Sequence, residues 1–247
     1  MNPEFDIVIP VGPKDIAQIK EQIRYTKLNI LGYRNIYIIS YDPTLQIEGC
    51  ITIQETLFPF SMDTIVSIHG KKDRNGWYLQ QLLKLYAGSV IPDIMEKYLI
   101  IDSDTYFLKP TTFVHQGKCL YAFGSENHRP YFNHMARLHS TLRKMDGSKS
   151  GICHHMIFEQ QYIRELFKMV EEAHNNEPFY MTFLKQVDPG EITTSGASEY
   201  EIYFNYMMLY HPDIIQIRPL AWRNVNQSPN STKYDSMDYV SYHWYMR

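Results

Sequence analysis

Apolar positions in the first hundred residues follow two alternating periods. Phe5 to Pro10 is a short buried-strand pattern ended by Pro10 and Gly12. From Asp15 to Leu28, Ile16, Ile19 and Ile23 recur at helical spacing. Asn35 to Ser40 predicts a second strand, closed by Asp42-Pro43, and Cys50 to Gln54 a short third. A helix over Trp77 to Ala87 and a strand over Lys97 to Ile101, stopped at Asp102, complete the series. Strands alternating with helices predict a parallel sheet with crossover connections. The second half is less regular. It predicts strands at Leu120 to Phe123 and Ile214 to Ile217, and helices at Phe158 to Ala173 and Ser198 to Tyr210. A short aromatic tail, Tyr239 to Tyr245, follows. The expected class is α/β: one domain over residues 1–247, with a central mixed, mostly parallel sheet flanked by helices. Residues 1–110 would form a nucleotide-binding half and residues 111–247 an acceptor and catalytic half.

Composition narrows the function. With 44% hydrophobic and 21% charged residues the chain can bury a sizeable core. A net charge of -3, with no basic stripe, argues against nucleic acid as partner. No stretch approaches the ~18 apolar residues of a membrane span. The N-terminus lacks a basic, then apolar, leader. Three cysteines without a C-x-x-C pair suit a reducing compartment. The expectation is a soluble, cytoplasmic protein, in which the glycosylation patterns at Asn226 and Asn230 would be idle. The 20 tyrosines serve mostly to fill the core, although rings of this kind also line sites for bases and sugars.

The segment carrying most chemistry is Asp102-Ser103-Asp104. Two carboxylates one residue apart, at the end of a buried strand, repel each other and are partly desolvated. A hard divalent cation relieves both problems, and Mg²⁺ or Mn²⁺ is commonly held by one or two carboxylates plus substrate phosphates. A surface turn is the plain alternative, since Asp and Ser favour turns. In open α/β sheets ligands bind beyond the carboxyl ends of strands. Val11-Gly12, Ser40-Tyr41-Asp42 and the Asp-Ser-Asp segment all occupy such ends.

The stretch YLIIDSDTYFLKP resembles the D-x-D segment of GT-A-fold nucleotide-sugar glycosyltransferases, and FDIVIPVGPKD their first strand and nucleotide-binding turn. GWYLQQLLKLYA, SEYEIYFNYM and the terminal SYHWY are similar to segments of a subgroup of largely uncharacterised bacterial and large-DNA-virus members. The resemblance implies a GT-A-like fold, a nucleotide diphosphate sugar donor (a UDP-sugar) and Mn²⁺ or Mg²⁺. It implies Asp104 as the direct metal ligand, Asp102 on the donor or the metal, and His243 as a further ligand. Val11 and Lys14 would border the nucleobase and ribose, Tyr41 or Asp42 could border the base or form only an Asp-Pro turn, and Ser103 of the D-x-D motif would contact the donor.

Other candidates follow from the residues themselves. Trp77, Gln81 and Lys84 share one stripe of their helix, and Arg74 lies just upstream. Arg74, Gln81 and Lys84 would suit diphosphate and ribose contacts. Ser198 with Glu201 reads as a capping box, which leaves Glu199 without a structural duty. Inverting transferases of the resembled fold use a carboxylate near such a helix start as base, so the resemblance implies Glu199 as a candidate general base, with helix-dipole stabilisation as its plainer role. If it is the base, inversion of configuration is favoured. His154-His155, read as preceding a helix, are placed to bind donor sugar or acceptor, with His155 taken as a donor contact. The expected function is metal-dependent transfer of a sugar to an acceptor hydroxyl on a glycan, glycoprotein or small molecule. A nucleotide-sugar-forming nucleotidyltransferase and an inactive nucleotide- or carbohydrate-binding module are the alternatives.

Overall fold

The computed structural model describes residues 3–227, 229 and 232–246; Asn230 lies outside them. β1 (Phe5–Val11) is buried at every position, as a central strand covered on both faces must be. Its one charged residue, Asp6, is satisfied at the far end of the sheet. The carboxylate accepts from Arg34 Nη2 at 2.6 Å and from the backbone N–H groups of Asn35 (3.0 Å) and Met95 (2.8 Å). The chain returns through α1 (Ile19–Asn29) and a two-residue β2 (Ile30–Leu31) to β3 (Tyr33–Ser40) and β4 (Ile51–Gln54). Two helices follow, α2 (Met62–His69) and α3 (Asn75–Val90). Then come β5 (Lys97–Ile101), β6 (Thr105–Phe107), β7 (Thr111–Thr112), β8 (Val114–His115) and β9 (Lys118–Tyr121). The second half contains α4 (Arg129–Leu138), β10 (His155–Glu159), α5 (Gln160–Ala173), α6 (Phe179–Lys185) and α7 (Glu199–Tyr210). It closes with β11 (Ile215–Ile217), β12 (Trp222–Asn224) and β13 (Tyr239–Ser241).

The main sheet has the order β10-β5-β1-β3-β4. β5, β1, β3 and β4 run parallel, and β10 is antiparallel to β5. The expected α/β class with a mixed, mostly parallel sheet is therefore what the chain adopts. From β1 the chain builds outward to β3 and β4, then crosses back to place β5 on the other side. The order reverses between β1 and β5, which is where ligands bind in sheets of this kind. Small sheets flank the main one: β11-β9-β8, β12-β13-β6 and β2-β7.

Two differences from the sequence reading bear on the site. The helix expected from Phe158 begins at Gln160, and the residues before it are β10. His-Met-Ile-Phe-Glu runs from strand into helix with no turn residue between them, so apolar periodicity alone does not separate the two. The capping box at Ser198 is only half formed. Ser198 Oγ accepts from the Glu201 N–H at 3.2 Å, but the Glu201 carboxylate takes Ser150 Oγ (2.5 Å) and Asn205 Nδ2 (2.8 Å) instead of the cap. A complete capping box occurs at Ser61 and Thr64, which open α2. Among the described residues no helix is long and apolar enough to cross a membrane.

Candidate functional site

The Asp-Ser-Asp segment forms the turn between β5 and β6 at the β1/β5 reversal. Three elements fix it. Ser103 Oγ donates to Asp15 Oδ2 (2.8 Å), which ties it to the turn after β1. From α1, Gln22 Nε2 donates to Thr105 O (3.0 Å) and Asn29 Nδ2 to Phe107 O (2.6 Å). β13 pairs antiparallel with β6, and the Tyr242 N–H donates to Asp104 O at 2.8 Å.

That pairing brings the tail onto the motif. His243 Nδ1 lies 2.7 Å from Asp104 Oδ2. The other carboxylate oxygen, Asp104 Oδ1, is buried with no hydrogen-bond partner. Orphaned buried carboxylate oxygens are rare, because desolvating such an atom is unfavourable unless something compensates it.

Asp102 has partners at both oxygens. Its Oδ1 receives Lys84 Nζ at 2.5 Å and the Tyr200 hydroxyl at 2.8 Å, while Oδ2 lies 3.4 Å from His154 Nδ1. Burial alone would raise this carboxyl, but the Lys84 ammonium and His154 overcome it and hold the group well below the ordinary carboxylate range. Lys84 is 3% exposed and also contacts Glu199 Oε1 at 2.6 Å, with its ammonium 4.4 Å from the Tyr200 ring centre. Burial opposes its charge, yet the two carboxylates more than restore it. Glu199 therefore has a structural duty that the sequence hid. It is buried, and its pKa is raised by desolvation with Asp102 adding repulsion, against the attraction of Lys84. One ammonium between two carboxylates leaves a net negative charge under cover.

The remaining candidates divide. Gln81, 1% exposed, accepts the Glu199 N–H at 3.0 Å, and its Nε2 is buried without a partner. Arg74 precedes α3, lies over the Trp77 ring at 5.3 Å and donates to Ser195 Oγ at 3.2 Å. Val11 is buried as the last residue of β1, Lys14 is exposed in the turn beyond, and Tyr41 is half exposed past β3. The stripe of α3 that reads as polar surface is thus buried at Gln81 and Lys84, because α7 docks against it.

His155 requires correction. It does not face the strand ends. As the first residue of β10 it sits among Phe107, Phe113 and Tyr239, with ring centroids 4.8–5.3 Å away. Neither ring nitrogen makes a hydrogen bond. Its neighbour His154 takes the place expected of it, beside Asp102. As the first residue of β10 His155 enters the core, while His154, just before the strand with a φ of 64°, meets Asp102. Burial pushes the His155 pKa down to about 3. The unfolded chain binds that proton near the ordinary 6.5 and the native state does not, so stability falls as pH drops from about 6.5 toward 3, by about 1.4 kcal/mol per unit. His155→Phe is expected to hold or raise Tm at pH 7 and to flatten this acid slope. Urea midpoints of both proteins at pH 7.5 and 5 measure it, and equal slopes would refute the assignment.

The donor set fits a divalent cation in part. Asp104 and His243 offer a carboxylate oxygen and an imidazole nitrogen in contact, plus the orphaned Oδ1. Among the described residues no three His, Cys, Asp or Glu side chains group closely enough to hold a metal by themselves.

Comparison with known proteins agrees with the fold. Mouse xyloside xylosyltransferase 1, in its apo form, superimposes with a TM-score of 0.50 at 11% identity, covering 98% of this chain and 99% of that one. At that identity the likeness establishes a glycosyltransferase-like fold and nothing finer. No curated protein sequence matches the chain. A family profile, described as a family of unknown function, spans residues 4–242, almost the whole chain. The chain belongs to this family, DUF6492.

Proposed function

We propose that the protein is a metal-dependent glycosyltransferase that moves a sugar from a nucleotide diphosphate sugar, a UDP-sugar in the first instance, to an acceptor hydroxyl. The observation that carries this reading is Asp104 Oδ1, a buried carboxylate oxygen without a partner at the strand-order reversal. Asp104 and His243 would hold Mn²⁺ or Mg²⁺ as a two-residue site, with diphosphate and water completing the shell. Such an ion supplies positive charge against the departing diphosphate. Asp102 is the weaker candidate ligand, because Lys84, Tyr200 and His154 already surround its oxygens.

The chain's own groups have distinct tasks in this reading. The turn after β1, with Val11 and Lys14, and the exposed ring of Tyr41 border the base and ribose. Arg74, at the start of α3, carries a cation toward the phosphates. Gln81 and Lys84 fix the first turn of α7, so the position of Glu199 does not depend on solvent-exposed contacts. Glu199 is the proposed acceptor of the hydroxyl proton; its desolvated carboxyl is shifted in the direction a general base requires. Asp102 holds Lys84 against it.

A thermal-shift series with UDP, GDP, UDP-sugars and GDP-mannose, each with and without Mn²⁺, tests the reading. A ligand that binds only the native state raises Tm, and a shift that needs the metal is expected. If none of these ligands moves Tm with metal present, the assignment is wrong. Release of nucleoside diphosphate by slow donor hydrolysis separates a working transferase from an inactive binding module.

A further inference from the structure

Residues 150–154 approach the site as a segment fastened at each step. The Ser150 backbone exchanges N–H and C=O bonds with Gly124 (3.0 and 2.8 Å), and its hydroxyl donates to the buried Glu201 carboxylate. Gly151 packs so closely on the first turn of α7 that a Cβ would collide with Tyr200 O and Phe204 Cβ. The Ile152 carbonyl presses on Gly124 in the same way, and the Ile152 N–H donates to Ser150 Oγ at 3.0 Å. Cys153 O accepts the Tyr239 hydroxyl at 2.9 Å.

What this segment presents is His154. Its φ is 64°, a left-handed conformation uncommon for a non-glycine residue. The backbone carbonyl accepts the Asp102 N–H at 2.9 Å, so backbone and side chain both engage the same residue. The ring stands edge-on between Trp222 (centroid distance 5.1 Å) and His243 (4.9 Å), which fixes its plane. The side chain is 12% exposed. It lies between the Asp102–Lys84–Glu199 cluster and the Asp104–His243 pair, where the bond to be broken would lie in the reading above.

We propose that His154 is the residue that hydrogen-bonds the sugar being transferred. Its Nδ1 side is turned to Asp102, 3.4 Å from Oδ2. That leaves Nε2 as the ring nitrogen directed away from Asp102, a polar atom suited to a hydrogen bond with a sugar hydroxyl. This inference rests on the glycosyl-transfer reading and adds to it a group that discriminates the sugar from the bare diphosphate. His154→Gly suits the test because glycine tolerates the left-handed backbone, so only the imidazole is lost. His154→Asn, which also tolerates that conformation and keeps a polar side chain, is the conservative partner.

The experiment compares Tm with Mn²⁺ plus UDP against Mn²⁺ plus UDP-glucose, UDP-galactose, UDP-xylose or UDP-N-acetylglucosamine, and GDP against GDP-mannose. In the wild type one sugar is expected to add a further shift over its diphosphate. His154→Gly should keep the diphosphate shift, lose the sugar increment and slow donor hydrolysis at least tenfold; His154→Asn should recover part of both. A sugar increment that survives in His154→Gly overturns the assignment. Loss of the diphosphate shift as well would place His154 with the metal and phosphates, and also overturns it. If His154→Gly does not fold, the same readings on His154→Asn decide, with an unreduced increment counting against the proposal. No diphosphate shift in the wild type removes the glycosyl-transfer reading itself, a different failure from a shift that His154 does not influence.

Discussion

Lys84→Met should destabilise the protein by about 3–5 kcal/mol, because it strands two buried carboxylates without their shared cation. For a chain of this size that corresponds to a fall in Tm of roughly 10 °C. The loss has a pH signature. The Glu199 carboxyl already sits above its ordinary 4.5, chiefly because it is desolvated, and losing Lys84 removes the main attraction opposing that rise. A raised native pKa means that the native state binds the proton more tightly than the unfolded chain, so protonation adds stability as pH falls through the native value. The gap between wild type and Lys84→Met is therefore expected to narrow from pH 7.5 to pH 5. Adding Glu199→Gln to Lys84→Met should recover much of the loss at neutral pH. Chemical denaturation of the four proteins of this cycle gives the coupling directly. An unchanged Tm for Lys84→Met at pH 7.5 would show that the triad carries no such energy.

Asp104→Ala is expected to act in the opposite manner, on ligand binding rather than on the fold. The native carboxylate has one oxygen in contact with His243 and one buried without a partner. Removing the group deletes an unfavourable burial along with a favourable contact, and unliganded Tm should change little. The metal-dependent part of any nucleotide shift should vanish. Donor hydrolysis should drop by at least about 100-fold, since the ion's charge stabilisation is worth several kcal/mol and 1.36 kcal/mol is a factor of ten. A metal-dependent shift of full size in Asp104→Ala would remove this residue from the metal site.

The sequence revealed the framework better than it revealed the partners. β1, β3, β5 and α3 are legible because their periods are local properties of short segments. The Asp-Ser-Asp turn was legible because an apolar strand runs straight into it. Lys84 with Glu199 was not, since the two charges are 115 residues apart and each, taken alone, resembles an ordinary solvated side chain. The choice of His154 over His155 was not legible for another reason. Without a turn residue between Glu159 and Gln160, strand and helix merge in the pattern, and the choice between two adjacent histidines depends on that boundary. Pro130 near the start of α4 and the Ser61/Thr64 capping pair that opens α2 are local signals for two further helices.

The contacts that complete the site have a consequence in time. Lys84 meets Glu199 across 115 residues and Asp104 meets His243 across 139, whereas β1 and β3 lie side by side in both sequence and space. Closing loops of that size must precede the contacts that reward it, so the sheet can form before the ion cluster does. Until α7 and the tail dock, the newly built strand ends carry Asp102 and Asp104 in open water, where each is easily solvated. On this ordering the carboxylates lose their water only as α7 and the tail bring Lys84's second partner and His243 into place.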